Sequence, residues 1–138
     1  MSEDQKQLSS IIPVLVAAIV CDVAAKDPST GKVSLIGIFD RILIGKFPTQ
    51  RPLSLYIKLT DAEGNYNIRV KYVQVKSANI LAEAGGKFEY KDRLASSDLY
   101  IPFPPLPIPE EGRYEFQIWA NSIFLGNAFI DAAQRAIG

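Results

Sequence analysis

Apolar and polar residues alternate with a period of two along much of the 138-residue chain, the pattern of strands that bury one face. Its fullest instance runs from Gly112 to Ile130. There Tyr114, Phe116, Ile118 and Ala120 alternate with Arg113, Glu115 and Gln117, and Asn121-Ser122 is a short polar break. Ile123 to Ile130 then returns as a run rich in β-branched and aromatic residues. The pattern predicts an antiparallel hairpin at the C-terminal end of the domain. Leu53, Leu55, Ile57 and Leu59 alternate in the same way with Ser54, Tyr56, Lys58 and Thr60. A further run from Tyr66 to Lys76 follows Ile68, Val70 and Tyr72, and its parity slips between Tyr72 and Val73, which predicts a β-bulge.

The remaining segments read as strands and turns of the same kind. After Pro13, Val14 to Val23 is apolar at both parities, as in a strand covered on both faces or one that contributes to a sandwich centre. Asp27-Pro28-Ser29-Thr30-Gly31 is a turn, and Lys32 to Phe39 is its returning strand. Gly37 and Gly45 in β-like surroundings predict bulges or close backbone approach. Arg41 to Ile44 either continues that strand or forms a short connection, and Phe47 to Pro52 is a loop with Phe47 as a plug. Asp61 to Asn65 is a turn. Ile80 to Ala84 is a hairpin arm that Gly85-Gly86 ends, and Lys87 to Lys91 is a charged edge strand. Pro102, Pro104, Pro105, Pro107 and Pro109 confine the segment after Leu99 to a sheet edge or a crossing between sheets, because proline cannot donate to a ladder. Asp131 to Ala136 forms one helical turn or frays.

About eight or nine short strands, with turn signals at sandwich spacing and no sustained helical period, define the class. The expectation is an all-β, antiparallel Greek-key β-sandwich of immunoglobulin or C2 type. One domain spans residues 11–138 behind a flexible N-terminus of residues 1–10, with no internal repeat and no linker long enough to divide it.

Composition narrows the function classes. Fifteen basic residues balance fifteen acidic ones, without the basic excess that phosphate neutralisation demands of a nucleic-acid binder. The chain has no histidine and one cysteine, Cys21. The commonest general base and transition-metal ligand are thereby missing, and neither an intramolecular disulfide nor a cysteine zinc site can form within one chain. Both facts suit a reducing, cytoplasmic location. The apolar run Ile11 to Val20 is short of the ~20 residues a membrane span takes. The polar segment before it carries no net positive charge, unlike a signal peptide.

Candidate chemistry is sparse. No serine or cysteine nucleophile has a histidine partner, so no catalytic residue is assigned, and Cys21 in its apolar strand reads as an inert core residue. Asp61, Glu63 and Asn65 offer oxygen ligands around Gly64, and Asp22 and Asp27 sit at another strand end. They lack the calcium-loop spacing and read first as solvated turns, so no metal or cofactor is assigned. The Pro-x-x-Pro spacings lie between strands and read as structural. Tyr114, soon after the prolines, matches a tyrosine corner, whose hydroxyl bonds back to upstream backbone. Trp119 and Phe124 are different. Across a two-residue hairpin they stand opposite each other on the face away from Tyr114, Phe116 and Ile118, where an exposed pair marks an interaction surface.

Val16 to Phe39, Phe47 to Val75 and Ile101 to Ile130 together resemble a family of small bacterial proteins of unknown function. The resemblance is carried by an apolar first strand ending in Cys21-Asp22, by Leu35-Ile36-Gly37-Ile38-Phe39-Asp40, by Phe47-Pro48 and by the late Gly-x-Tyr-x-Phe. It implies a compact immunoglobulin-like sandwich with no assigned activity, so no functional residue carries over. The leading expectation is a non-catalytic protein-binding or scaffolding module that uses a sheet face or edge strand, with a protein partner or self-association. The alternatives are a calcium- or lipid-associating C2-like domain using the loops around Asp22–Gly31 and Asp61–Asn65, and a hydrolase or transferase with a carboxylate site.

Overall fold

The computed structural model describes residues 7–136, and every described regular element is a strand. In chain order they are β1 (Val14–Lys26), β2 (Val33–Ile38), β3 (Arg41–Ile44), β4 (Thr49–Thr60), β5 (Gly64–Gln74), β6 (Asn79–Tyr90), β7 (Ser97–Ile108), β8 (Gly112–Ala120) and β9 (Ile123–Gln134). They form a four-stranded sheet in the order β2-β1-β4-β7 and a five-stranded sheet in the order β3-β9-β8-β5-β6. The chain passes between sheets from β2 to β3, β3 to β4, β4 to β5, β6 to β7 and β7 to β8. These crossings make the all-β sandwich a Greek key of immunoglobulin type. All pairings are antiparallel except β3 on β9.

The inward parity of each alternating strand fills the space between the sheets. Leu53, Leu55, Ile57 and Leu59 of β4 face Tyr66, Ile68, Val70 and Tyr72 of β5 and Tyr114, Phe116 and Ile118 of β8, all buried. At one end Tyr72 lies flat against Tyr114, with ring centroids 5.6 Å apart, and Tyr72 in turn meets the Phe103–Phe116 pair through Phe116. Buried phenols need partners. The Tyr72 hydroxyl donates to the Pro107 carbonyl at 2.9 Å, and the Tyr66 hydroxyl donates to the Ile11 carbonyl at 2.8 Å. The bulge expected between Tyr72 and Val73 is present in the β5–β6 ladder. The prolines of β7 lie at a sheet edge, where only one side must pair with β4. Phe47 packs against the core as a plug.

Several expectations are corrected. β1 is central in its sheet but not covered on both faces: Val14, Val16 and Val23 are exposed, because a sandwich of two sheets covers only one face of each. Gly85-Gly86 does not break the chain; β6 runs straight through it. A side chain at Gly85 would overlap the Ile68 carbonyl oxygen of β5, so glycine marks a close approach of two strands. Gly37 has φ +71° with the Asp22 side chain against it, but Gly45 faces open space. The presumed loop Phe47 to Pro52 already pairs with β7 from Thr49. Arg41 to Ile44 joins the other sheet, and its parallel partner is Asp131 to Gln134, which is strand rather than a helical turn. Of the N-terminal residues read as flexible, 1–6 lie outside the described residues, whereas Leu8 bridges Asn65 and the Ser9 amide donates to the Asn65 carbonyl at 2.9 Å.

Candidate functional site

The outer face of the five-stranded sheet is built from the polar parity of β5, β8 and β9. The β8–β9 hairpin turns at Asn121-Ser122, with φ of 48° and 68°, the doubly positive geometry of a tight hairpin. Asn121 anchors the turn: its Oδ1 accepts from the Asn67 amide at 2.8 Å, and its Nδ2 donates to the Ser9 carbonyl at 3.1 Å. The turn therefore sets Trp119 directly opposite Phe124. Their rings meet edge to face at a centroid distance of 5.3 Å and 67°. Phe124 is 46 % exposed and Trp119 partly so.

Neighbouring side chains hold the indole in place. Lys71 of β5 sits with Nζ 4.7 Å from the Trp119 ring, a cation–π contact. The indole Nε1 donates to Gln117 Oε1 at 3.3 Å, Gln117 donates to Glu115, and Asn127 Nδ2 donates to Glu115 Oε2 at 2.9 Å. Further along the strand, Arg113 makes a two-pronged pair with Asp131 at 2.7 and 3.0 Å and lays its guanidinium 4.8 Å from the Phe129 ring. The hydrogen bonds and charge of Arg113 hold the Asp131 carboxyl below its ordinary range.

Beside Trp119 the sheet surface dips into an open depression of about 500 Å³, lined by Asn67, Arg69, Lys71, Lys87, Trp119 and the bare Gly85–Gly86 backbone. Three cations and no carboxylate line it, although Arg69 is paired at 2.8 Å with Glu83 just beyond. The sequence pattern located Trp119 and Phe124 but missed Arg69, Lys71 and Lys87. Outward parity opposite Ile68, Val70 and Tyr72 is the signal that puts Arg69 and Lys71 on this face, and Lys87 of β6 joins them by its pairing with Asn67.

The acidic candidates do not converge. β1 pairs its first residue, Val14, with Thr60 and its later Cys21 with Ser54. The Asp61 turn and the Asp27 turn therefore lie beyond opposite ends of a strand of thirteen residues, about 40 Å at ~3.3 Å per residue. They cannot grip one ion. Asp22 pairs with Arg51 at 2.8 Å. Asp27 accepts from the Ser29 amide at 2.9 Å and the Ser29 hydroxyl at 2.8 Å, which lowers its pKa as a turn-capping carboxylate. Among the described residues no three His, Cys, Asp or Glu side chains group as metal ligands, and no helix is long and apolar enough to cross a membrane.

Fold and surface thus define a single immunoglobulin-like sandwich with an aromatic, mixed-charge outer sheet face. The chain belongs to the family of unknown function DUF6941, whose sequence profile matches residues 16–128. No curated protein is found to match it in sequence.

Proposed function

We propose that the protein is a non-catalytic binding module that docks another protein on the outer face of its five-stranded sheet, with Trp119 and Phe124 as the anchor. The observation that carries this reading is the exposed edge-to-face pair, held by Lys71 on one side and Gln117 on another. Rigid aromatic side chains lose little rotamer freedom on binding and dominate the energetics of many interfaces. The charges along this sheet face are of both signs, with Arg69, Lys71 and Arg113 among Glu83, Glu115 and Asp131. That mixture suits a protein surface better than a phosphate polymer, which calls for a uniformly basic face. A cytoplasmic location belongs to the same proposal, supported by the lone buried thiol of Cys21.

A photo-crosslinking amino acid in place of Phe124 tests this in the native cell, with the same group at the exposed loop residue Leu94 as control. The expected result is a discrete protein adduct from position 124, absent from position 94 and abolished by Trp119→Ala while the circular dichroism spectrum is unchanged. Equal adducts from both positions, or capture undiminished by Trp119→Ala, would sink the proposal.

A further inference from the structure

Two sheets have four edges, and an unpaired edge is a template for another strand unless something blunts it. Three of the four are blunted. β7 carries Pro102, Pro104, Pro105 and Pro107. β6 carries Glu83, Lys87 and Glu89 along its length. β3 is only four residues long and begins with Arg41. The fourth edge, β2, reads Val33-Ser34-Leu35-Ile36-Gly37-Ile38 and has neither a charge nor a proline. Its Ile36 and Ile38 are 63 % and 64 % exposed, and Val23, the β1 partner of Ile36, stands half exposed beside it. Its other side pairs with β1, and among the described residues no strand pairs with its free side.

The residues flanking this strand decide what fits it. Lys32 lies four positions before Ile36 and Asp40 four positions after it, and both are exposed. Antiparallel pairing with a second copy about a two-fold axis at Ile36 brings the Lys32 end of each strand to the Asp40 end of the other, just outside the paired residues Val33–Ile38. The same operation places Ile36 beside its own counterpart. A two-fold interface requires a patch complementary to itself, and this strand meets that condition in charge and in apolar contact together.

We infer that β2 is a self-association edge: two copies of this chain pair their β2 strands antiparallel about Ile36, joining two four-stranded sheets into one continuous sheet. The interface is separate from the Trp119 face, which lies on the other sheet. It therefore stands or falls independently of the proposed partner-binding role. Like charges brought opposite each other at the two ends of the strand oppose the pairing, and exchanged charges restore it.

Sedimentation velocity on the full chain, from micromolar to hundreds of micromolar, is the test. The expected species has twice the 15.2 kDa chain mass. Ile36→Lys places a charge at the centre of the exposed edge and returns the mass to that of one chain, with an unchanged circular dichroism spectrum. Lys32→Glu and Asp40→Lys each weaken the dimer at least tenfold in Kd, and the double exchange restores it. Trp119→Ala leaves it intact. A wild-type monomer throughout the range overturns the inference. So does a dimer that survives Ile36→Lys or dissociates with Trp119→Ala, and so does a double exchange that fails to recover association.

Discussion

The Tyr114 hydroxyl donates to the Glu110 carbonyl at 2.6 Å and accepts from the Glu110 amide at 3.2 Å, closing the corner between β7 and β8. Tyr114 is fully buried and stacks on Tyr72, so one side chain joins the corner to the core. This is the tyrosine corner expected from the sequence. Removing the hydroxyl alone leaves the backbone groups of Glu110 to find other partners. Tyr114→Phe is expected to cost ~1–2 kcal/mol, and Tyr114→Ala, which also empties the stack, ~3–5 kcal/mol. Urea denaturation followed by circular dichroism measures both, and equal losses for the two variants would contradict this division.

Gly85 and Gly45 form a second contrast. Alanine at Gly85 would drive its methyl into the Ile68 carbonyl and the Arg69 side chain, so β5 and β6 must separate. Gly85→Ala is expected to destabilise by ~1–3 kcal/mol. At Gly45 nothing lies within 4 Å of the same methyl, and Gly45→Ala is expected to be neutral or to gain up to ~1 kcal/mol through a less flexible unfolded chain. Thermal melts of the two variants should move in different directions or by clearly different amounts.

These two glycines also show where sequence reading succeeds and where it stops. What was legible rests on local periodicity: the inward rows of β4, β5 and β8, the slip at Tyr72–Val73, the prolines at an edge, and Trp119 opposite Phe124. A period of two carries its own face assignment, and a two-residue turn carries its own register. A glycine pair has no such signature, since a turn and a close approach of a neighbouring strand demand the same missing side chain. Nor can local pattern reveal that Arg41 to Ile44 lies parallel to Asp131 to Gln134, because that pairing joins segments from distant parts of the chain. For the same reason Lys71 was not placed over Trp119: the contact depends on the β5–β8 register, in which Lys71 faces Gln117 and Arg69 faces Trp119.

The phenol of Tyr56 gives a prediction in pH. Partial burial, then a hydrogen bond to Asp98 and that carboxylate's charge, push its pKa up to about 12 from an ordinary 10.0. The folded state holds the proton more tightly than the unfolded chain. The stabilisation is therefore fully present below pH 10 and is lost as pH rises towards about 12. Tyr56→Phe is expected to flatten the fall in stability across that interval and to remove one late phenol from the absorbance titration. An unchanged alkaline profile in the variant would contradict the assignment.

Cys21 is a built-in reporter of opening. Its sulfur is fully buried, within 3.5 Å of the Val23 carbonyl oxygen and 3.7 Å of that of Ser54. Burial first, and the Asp22 charge second, push the thiol's pKa up, so the reactive thiolate is scarce as well as inaccessible. Ellman's reagent is expected to leave the native protein unlabelled and to react stoichiometrically once denaturant unfolds it. Labelling that tracks the unfolding midpoint checks this, whereas fast native labelling would place the β1–β4 ladder in frequent local exchange.

Trp119 is the only tryptophan, so its emission reads the proposed binding face directly. Phe124 covers one edge of the indole, and Lys71 lies over its ring. Phe124→Ala opens that edge to water and removes an aromatic contact of the kind worth ~0.5–1.5 kcal/mol. The expected outcome is a red-shifted emission maximum and a stability loss within that range, with the strand content unchanged. Lys71→Ala removes the cation–π contact, ~0.5–1 kcal/mol at an exposed site, and should shift the emission less. Because the two residues touch the same ring from neighbouring strands, their effects are expected to couple, and the double variant should differ from the sum of the singles. Additivity would instead mean that the indole is held by the Gln117–Glu115–Asn127 hydrogen bonds and the hairpin turn, with its aromatic and cationic neighbours acting independently.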